Sequence, residues 1–536
     1  MFFAIIGLIG GLVLFLYGMQ ITSTGLKNTF GNKLTKILGT LSKNKLIALF
    51  TGIALTFTIQ SSSAASTLLV SLVNTGIMTL NQTLCILLGT SMGTTLTTQI
   101  ISLRISDFAF LIIIIGFSLM LLGKRKRQRA IGNILLGIGL VFLGMKIMTD
   151  SASPWKEQEF FQKLLINLEN NPWLALTLSA LFTSLVQSST ATMGLIISLA
   201  MQGLTTLNLA IPLILGSHIG SCSTVLFAGI GATKGAQRVT LSNLLFKLAG
   251  AIFFFLLTPQ IVYLIQKTSL DLLRQIANAH TLIIVGNVLI FLPFTEQFTK
   301  FLERIIPKTE EVESPQKPKY LDKGVLQTPE VAFYLSRKEI LRISTTIETM
   351  ILDSMKIILK NDEGLLEQIK TQDIIVDNLS REITTYLTQI NFDSLTADQS
   401  KDIFTLLYVV DDLEHIGDLV DKNLIPLLEK KIDYSLEFSE KGLEEISNMH
   451  QEVYNNLRQA IGAFALQDQR MAQKVIDSKD KIDALEINLR KTHINRLNIG
   501  IELSHRTSGV HLDIINILKR INDHSYSIAR AVTGKI

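Results

Sequence analysis

Two clusters of uncharged hydrogen-bonding side chains are the groups best placed to do chemistry in the first half of this chain. Each cluster has a glutamine followed by three hydroxyl residues: Gln60, Ser61, Ser62 and Ser63, then Gln187, Ser188, Ser189 and Thr190. Amide and hydroxyl groups can donate hydrogen bonds to an anion that has lost its water, and their oxygens can accept a cation. Both clusters interrupt long apolar segments, so they predict the binding of small ions away from bulk water.

The two clusters belong to an internal repeat. They are 127 residues apart, and segments 79–81 and 89–93 recur at 206–208 and 216–220 with the same offset. A single cluster of serine and threonine in a membrane helix often only packs against its neighbours. Two copies at one offset favour instead the two halves of one binding site. Each unit has an odd number of predicted crossings, so we expect the second unit to be inverted in the membrane.

The elements that carry the clusters are apolar segments of two kinds. Full membrane spans are predicted near residues 1–22, 82–102, 108–123, 130–149, 208–230, 241–258 and 280–294. Segments 47–75 and 173–203 would each be on the order of 43 Å long as one helix, which exceeds the hydrocarbon core. We therefore predict two re-entrant hairpins that break at the polar clusters, where the start of each second arm directs backbone N–H groups toward an anion.

Charge divides the chain into a membrane half and a soluble half. Residues 1–294 contain 19 Lys and Arg but 6 Asp and Glu, whereas residues 295–536 contain 31 and 39. If the hairpins are re-entrant, the basic loops all fall on one face, as expected for the cytoplasmic side of a bacterial cell (inner) membrane. The second half is then cytoplasmic and the protein is multi-pass.

The second half has the pattern of a soluble helical domain. Six helices are predicted near 331–360, 364–391, 397–430, 436–467, 470–497 and 505–532. Segments 376–379 and 414–418 resemble 482–485 and 519–523, which indicates two three-helix units. The predicted domains are a first repeat at 1–127, a second repeat with the last membrane helix at 128–295, a linker at 296–330 and the soluble domain at 331–536.

Several function classes are disfavoured. The sequence has no nucleotide-binding loop, no Ser-His-Asp pattern and no zinc motif, so we expect neither an enzyme nor an ATP-driven pump. We expect no nucleic-acid partner either. Few carboxylates are available in the membrane half, so a sodium ion there would be held by hydroxyl, amide and carbonyl oxygens. Lys146 and Lys247 are expected to extend toward the membrane interface from positions near helix ends.

The paired Gln-Ser-Ser-Ser and Gln-Ser-Ser-Thr motifs resemble the sodium–phosphate cotransporter family over about residues 1–295. The resemblance implies that phosphate binds between the two hairpins, on Gln60, Ser61, Ser62, Ser63, Gln187, Ser188, Ser189 and Thr190. It also implies co-transported sodium, with candidate ligands Gln60, Ser63, Gln187, Thr190, Ser91, Thr94, Thr95, Ser217 and Ser221. The family typically has Asn where this chain has Ser91 and His218, which leaves the ion contacts at those two positions open.

The soluble half resembles PhoU-type domains through Glu414-His415-Ile416-Gly417-Asp418. That resemblance implies a divalent metal on Asp377, Asp411, Glu414 and Asp418, and the alternative is a solvated acidic helix face. The second copy has Lys519 in place of the glutamate, so at most one complete site is expected.

The predicted fold is all-α: a polytopic membrane bundle with inverted repeats and two re-entrant hairpins, followed by a six-helix PhoU-like domain. The predicted function is sodium-coupled phosphate symport by alternating access, with the lipid bilayer, phosphate and sodium as partners and a cytoplasmic regulatory domain. The alternatives are a phosphate exporter of the same fold and a membrane-anchored phosphate-sensing signalling protein. A homodimer or a signalling partner would contact the C-terminal domain.

Overall fold

The computed structural model describes residues 2–39, 44–103, 105–307, 315–326, 328–392 and 395–535, with side chains from residue 44 onward and at 2–29. The chain forms two compact units, Met1–Glu310 and Glu311–Ile536. In both units the described residues form helices joined by turns, without strands, so the all-α fold class is confirmed.

Unit 1 is built from helices of two lengths. In chain order they are α1 (Phe2–Gly39), α2 (Lys45–Ile59), α3 (Ser62–Asn74), α4 (Leu80–Ile101), α5 (Ala109–Leu122), α6 (Lys126–Ala152), α7 (Glu159–Asn170), α8 (Pro172–Val186), α9 (Ser189–Met201), α10 (Leu207–Gly220), α11 (Cys222–Gly229), α12 (Lys234–Leu256), α13 (Thr258–Gln266), α14 (Leu272–Phe291) and α15 (Thr295–Ile305).

Six stretches of the described residues are long and apolar enough to cross a membrane. They are Phe2–Thr29, Leu80–Ile101, Lys126–Trp155, Leu207–Gly229, Lys234–Leu256 and Leu272–Ile305. Each overlaps one of the predicted spans. The remaining predicted span, 108–123, is α5, a helix of 14 residues. At 1.5 Å per residue α5 is roughly 21 Å long, shorter than the hydrocarbon core.

Both segments of about 29 residues are broken in the middle, at the polar clusters. The first consists of α2 and α3, which end and begin on either side of Gln60 and Ser61. The second consists of α8 and α9, on either side of Gln187 and Ser188. The positions of the breaks match the prediction. Entry and exit by the same membrane face stays a prediction.

Glycines at equivalent positions allow close packing of the first hairpin arms. A Cβ atom on Gly89 of α4 would overlap the carbonyl oxygen of Leu49 in α2. A Cβ atom on Gly216 of α10 would overlap the carbonyl oxygen of Leu176 in α8 in the same way. The glycines therefore fix α2 against α4 and α8 against α10.

The first helices of the two repeats, α1 and α6, also pack through glycine. A Cβ on Gly11 would lie 2.7 Å from the carbonyl oxygen of Gly144, and one on Gly18 would lie 2.7 Å from that of Gly137. Small residues allow helix backbones to approach in this way inside membranes. The α1–α6 contact thus joins the two repeats.

Unit 2 consists of long amphipathic helices around one apolar core. The helices are α16 (Pro329–Lys360), α17 (Glu363–Thr388), α18 (Ala397–Asp418), α19 (Ile425–Asp433), α20 (Glu440–Leu466), α21 (Gln469–Asp477), α22 (Lys479–Asn498) and α23 (Glu502–Thr533). A π-helical turn at 419–424 joins α18 to α19, and Ser478 separates α21 from α22. The six predicted helices are present, two of them in two pieces.

Candidate functional site

The two helix breaks have nearly the same backbone geometry. Gln60 and Gln187 have φ of 59° and 58°, the left-handed conformation, and each donates its N–H to a threonine carbonyl at 2.7 Å. Ser61 and Ser188 then cap α3 and α9, because each hydroxyl accepts the N–H three residues on at 3.2 Å. Both breaks therefore start a helix whose free N–H groups and partial positive charge favour an anion.

The first break is held by neighbouring helices. Ser23 of α1 donates to the carbonyl of Ile59 at 2.8 Å, and Thr97 of α4 donates to the side-chain oxygen of Gln60 at 3.1 Å. At the second break Gln187 is exposed instead. There, Ser184 of α8 donates to the carbonyl of Gly220 at 3.2 Å, which ties the hairpin to the end of α10.

The two repeats meet at Ser221, between α10 and α11. Ser63 of the first cluster donates its hydroxyl to the Ser221 carbonyl at 3.0 Å. The helix that starts at the first break, α3, packs against α11 of the second repeat, and α9 packs against α4 of the first. The first cluster therefore contacts the second repeat directly, and the helix that begins at the second break packs against the first repeat.

Burial differs among the eight predicted phosphate ligands. Ser62, Ser63 and Thr190 are buried, while Gln60, Ser61, Ser188 and Ser189 are half-buried. The hydrogen bond that the first cluster makes to the second repeat runs from Ser63 to Ser221 and not to the second cluster. The ligand roles of all eight remain predictions.

Four of the five predicted sodium ligands beyond the clusters share one arrangement. Each hydroxyl donates to the carbonyl three residues earlier in its own helix, at 2.7 to 2.8 Å: Thr94 to Ser91, Thr95 to Met92, Ser217 to Ile214 and Ser221 to His218. A hydroxyl that has used its proton in this way keeps oxygen lone pairs for a cation.

The two positions that depart from the family's asparagine are buried and incompletely paired. The Ser91 hydroxyl and the His218 Nε2 atom are buried without a hydrogen-bond partner among the described residues. Buried polar groups are normally paired, so each of these two atoms could still accept a polar partner.

Lys247 corrects one expectation. Its side chain is 1 % exposed and its ammonium donates to the Ser221 hydroxyl at 2.8 Å. The interpretation that Lys247 extends to the interface is wrong, because α12 begins at Lys234 and places Lys247 in mid-helix rather than near an end. Lys146 is half-exposed and pairs with Asp107 at 3.3 Å.

In unit 2 the predicted metal ligands fall into two neighbouring groups. Asp377 and Asp418 lie with Asp373, and Asp411 and Glu414 lie with His415; within each group one ligand atom from every residue lies within 4.8 Å of the others. The sequence interpretation missed Asp373, although its position one turn before Asp377 on α17 could have indicated it.

The first of these groups suits a hard cation. One carboxylate oxygen of Asp373 and one of Asp377 are buried without a partner, and oxygen ligands are what calcium and magnesium prefer. The pKa of Asp373 is raised to about 7 by burial and by the charge of Asp377. The metal stays a prediction.

The second half of unit 2 has an ammonium group at the corresponding place. Lys519 donates to Asp523 at 2.6 Å and lies 3.9 Å from Asp483. In the repeat, Lys519 corresponds to Glu414, Asp523 to Asp418 and Asp483 to Asp377. The lysine therefore already neutralises the second pair of aspartates.

Comparison with family models covers both units. The Na+/Pi-cotransporter model matches residues 14–150 and again 156–292. The chain belongs to this family. The PhoU domain model also matches two segments, at 340–422 and 446–532. The Na+/Pi-cotransporter family thus accounts for the repeated membrane half, and the PhoU domain accounts for the duplicated helical half.

Relatives of this Na+/Pi-cotransporter family member share its whole length or one half. A Salmonella typhimurium protein, named as a candidate inorganic phosphate export protein (YjbB), is 27% identical over 98% of this chain and 96% of its own length. The uncharacterised Bacillus subtilis protein YqeW is 26% identical over 55% of this chain and 96% of its own. A Thermotoga maritima PhoU homologue, named as an accessory protein of phosphate-specific transport, is 25% identical over 38% of this chain and 87% of its own. No solved structure matches the chain significantly.

Proposed function

We propose that this protein moves inorganic phosphate across a bacterial cell membrane by alternating access, coupled to sodium, and that unit 2 regulates it from the cytoplasm. The observation that carries the proposal is the bond from Ser63 to the Ser221 carbonyl, beside two helix breaks of the same geometry. Hydroxyl and backbone N–H donors suit an oxyanion, and the hydroxyl oxygens suit sodium. Family membership and the names of full-length relatives support phosphate as the substrate.

The clusters lie between elements of two repeats, which supports alternating access. In transporters built from inverted repeats, one repeat can move against the other around a fixed site. Helix α3 packs on α11, and α9 packs on α4. A movement of one repeat against the other would therefore change the surroundings of both clusters at the same time.

Purified full-length protein in proteoliposomes tests the proposal. Radiolabelled phosphate is followed with sodium inside, outside or absent. We expect flux that depends on the sodium gradient and falls at least about tenfold in Ser62→Ala and Ser189→Ala, which remove hydroxyl donors. Thr51→Ala and Thr177→Ala are the matched controls, because those hydroxyls donate only to carbonyls of their own helices. Flux without any sodium dependence would remove the coupling from the proposal.

Net export is the second candidate, favoured by the names of the relatives that match the full length. The same fold and site serve either direction, since net flux follows the gradients and the regulator. Cells that lack the protein should accumulate phosphate if it exports and should take up less if it imports. If the unmodified protein shows no flux, and a phosphate-dependent signal persists in Ser62→Ala and Ser189→Ala, the protein is instead a membrane-anchored sensor.

A further inference from the structure

Lys247 is a buried positive charge in unit 1, and its hydrogen bond goes to a neutral hydroxyl. Each acidic residue in the described part of unit 1 is at least partly exposed. A charge inside a membrane protein is costly unless it is paired, and such residues commonly belong to a substrate or ion pathway. In its charged form Lys247 therefore needs a countercharge that the described side chains around it do not provide.

The surroundings of Lys247 are polar and incompletely satisfied. Asn243, one turn earlier on α12, is fully buried, and both its side-chain oxygen and nitrogen lack a partner among the described residues. The backbone carbonyl of Asn243 accepts a hydrogen bond from the Cys222 thiol at 3.9 Å, which places this turn of α12 beside the α10–α11 junction. His218 lies one turn before Ser221, its backbone carbonyl accepts the Ser221 hydroxyl at 2.7 Å, and its Nε2 is also unpartnered among the described residues. A small polar ligand would satisfy these groups.

The first repeat has no equivalent ammonium. The offset of 127 pairs Ser221 with Thr94 and Lys247 with Met120. The Thr94 hydroxyl donates to the carbonyl of Ser91 at 2.7 Å, as Ser221 does to that of His218, but in the second repeat the lysine also donates to the Ser221 oxygen. One of the two lone pairs that the Ser221 oxygen could offer to a sodium ion is therefore taken by an ammonium group.

We propose that Lys247 is a fixed cation of the site between the repeats: its ammonium group takes the place of one sodium ion in the second repeat and supplies positive charge to a bound oxyanion. This inference rests on the proposed function. Ser221 connects the two parts, because Ser63 of the first cluster bonds to its carbonyl and Lys247 bonds to its hydroxyl. Helix α12 packs against α3 and α4 as well as α10 and α11, so Lys247 is within reach of both repeats.

Binding of radiolabelled phosphate to the purified full-length chain, at low and at saturating sodium, tests the inference. We expect Lys247→Gln to weaken phosphate binding about tenfold or more at low sodium, because a charged hydrogen bond is lost. Saturating sodium should restore part of the loss by filling the vacated position, so the sodium dependence should become steeper. Lys247→Arg keeps the charge and should bind more tightly than Lys247→Gln. Lys146→Gln removes an exposed lysine of unit 1 and should have no effect.

Phosphate binding in Lys247→Gln that equals the unmodified protein at each sodium concentration would overturn the inference and leave the proposed function intact. If the unmodified protein binds no phosphate at any sodium concentration, the proposed function fails as well. Thermal unfolding of the unmodified protein and of Lys247→Gln gives a second test. A fixed cation predicts that phosphate raises the unfolding temperature already at low sodium, and that this rise is smaller in Lys247→Gln; equal rises in the two proteins would contradict it.

Discussion

The two repeats of unit 1 agree in their backbone and differ in single side chains. The breaks at Gln60 and Gln187 differ by 1° in φ, and both are followed by a serine cap. Further along, α4 continues without interruption, whereas the second repeat breaks again at Ser221 and receives Lys247. Duplication thus preserved the geometry that many backbone groups share, while the contacts made by individual side chains diverged.

Unit 2 shows the same kind of divergence. Glu339 and Glu445 are related by the repeat, and each accepts several hydrogen bonds, but from different donors. Glu339 accepts the backbone N–H groups of residues 319 and 320 and the side chain of Arg342. Glu445 accepts two bonds from Arg496. The first copy anchors the segment before the domain, and the second copy anchors helices within it.

The largest effect is expected at this pair of glutamates. Glu445→Gln leaves the buried Arg496 without its countercharge and should lower the free energy of unfolding of residues 315–535 by about 3 to 5 kcal/mol. Glu339→Gln should cost less, because Arg342 is partly exposed and the amide oxygen still accepts the two backbone bonds. Urea unfolding at pH 7 measures both, and the exposed Glu444→Gln is the control.

The pH dependence of this stability difference tests whether the ion pair of Glu445 with Arg496 is its cause. The pKa of Glu445 is lowered to about 2, and hydrogen bonds from His511 and Arg496 outweigh its burial. A carboxyl with a lowered pKa contributes its full stability above about pH 4.5 and loses it as pH falls toward 2. The Glu445→Gln and unmodified domains should therefore converge in stability near pH 2. A constant difference across that range would contradict the ion pair as the cause.

The glycine contacts of the two repeats come next. Gly89→Ala and Gly216→Ala both place a methyl group against a backbone carbonyl of the preceding hairpin arm, so each should destabilise unit 1 by about 2 to 3 kcal/mol. Thermal unfolding of the full chain in detergent gives the comparison. Gly10→Ala is the control, since no atom lies within 4 Å of the added carbon. Tolerance of one substitution only would show that the two hairpins pack differently.

Asp373, in the acidic group of unit 2, should change stability with pH in the opposite direction to Glu445. Because the pKa of Asp373 is raised to about 7, its carboxyl is fully tolerated below about pH 4 and destabilises the domain as pH rises toward 7. Without divalent cations at pH 8, Asp373→Asn should raise the free energy of unfolding by roughly 2 kcal/mol. Exposed Asp433→Asn is the control. Added Mn²⁺ should stabilise the unmodified domain more than Asp373→Asn, and equal responses would argue against a metal there.

The smallest effect concerns the breaks themselves. Glycine adopts a left-handed conformation without the steric cost that glutamine pays, so Gln187→Gly should stabilise the second break by up to about 1 kcal/mol. Gln60→Gly gives up the bond from Thr97 as well, so we expect no net gain there. Thermal unfolding of both variants in detergent measures the difference between them. Equal gains would mean that the Thr97 bond contributes little.

The sequence predicted features that depend on local composition. Both breaks were found because a polar cluster inside an apolar segment signals a helix interruption, and the apolar spans follow from hydrophobicity. Lys247 was misplaced because the predicted start of its span, residue 241, missed the first turns of α12. The short helices α7 and α13 carry no strong apolar run and were not predicted. The Ser63–Ser221 bond could not be predicted, since it depends on how distant helices pack.

The bond between Ser63 and Ser221 joins residues 158 positions apart. During synthesis the first polar cluster therefore leaves the ribosome long before the segment that contains Ser221. Until then its hydroxyl groups lack the partner that the finished protein supplies, and a polar group in lipid is costly. We therefore expect the first hairpin to reach its final place only after the second repeat has been synthesised, so the contact between the repeats imposes an order on assembly as well as on transport.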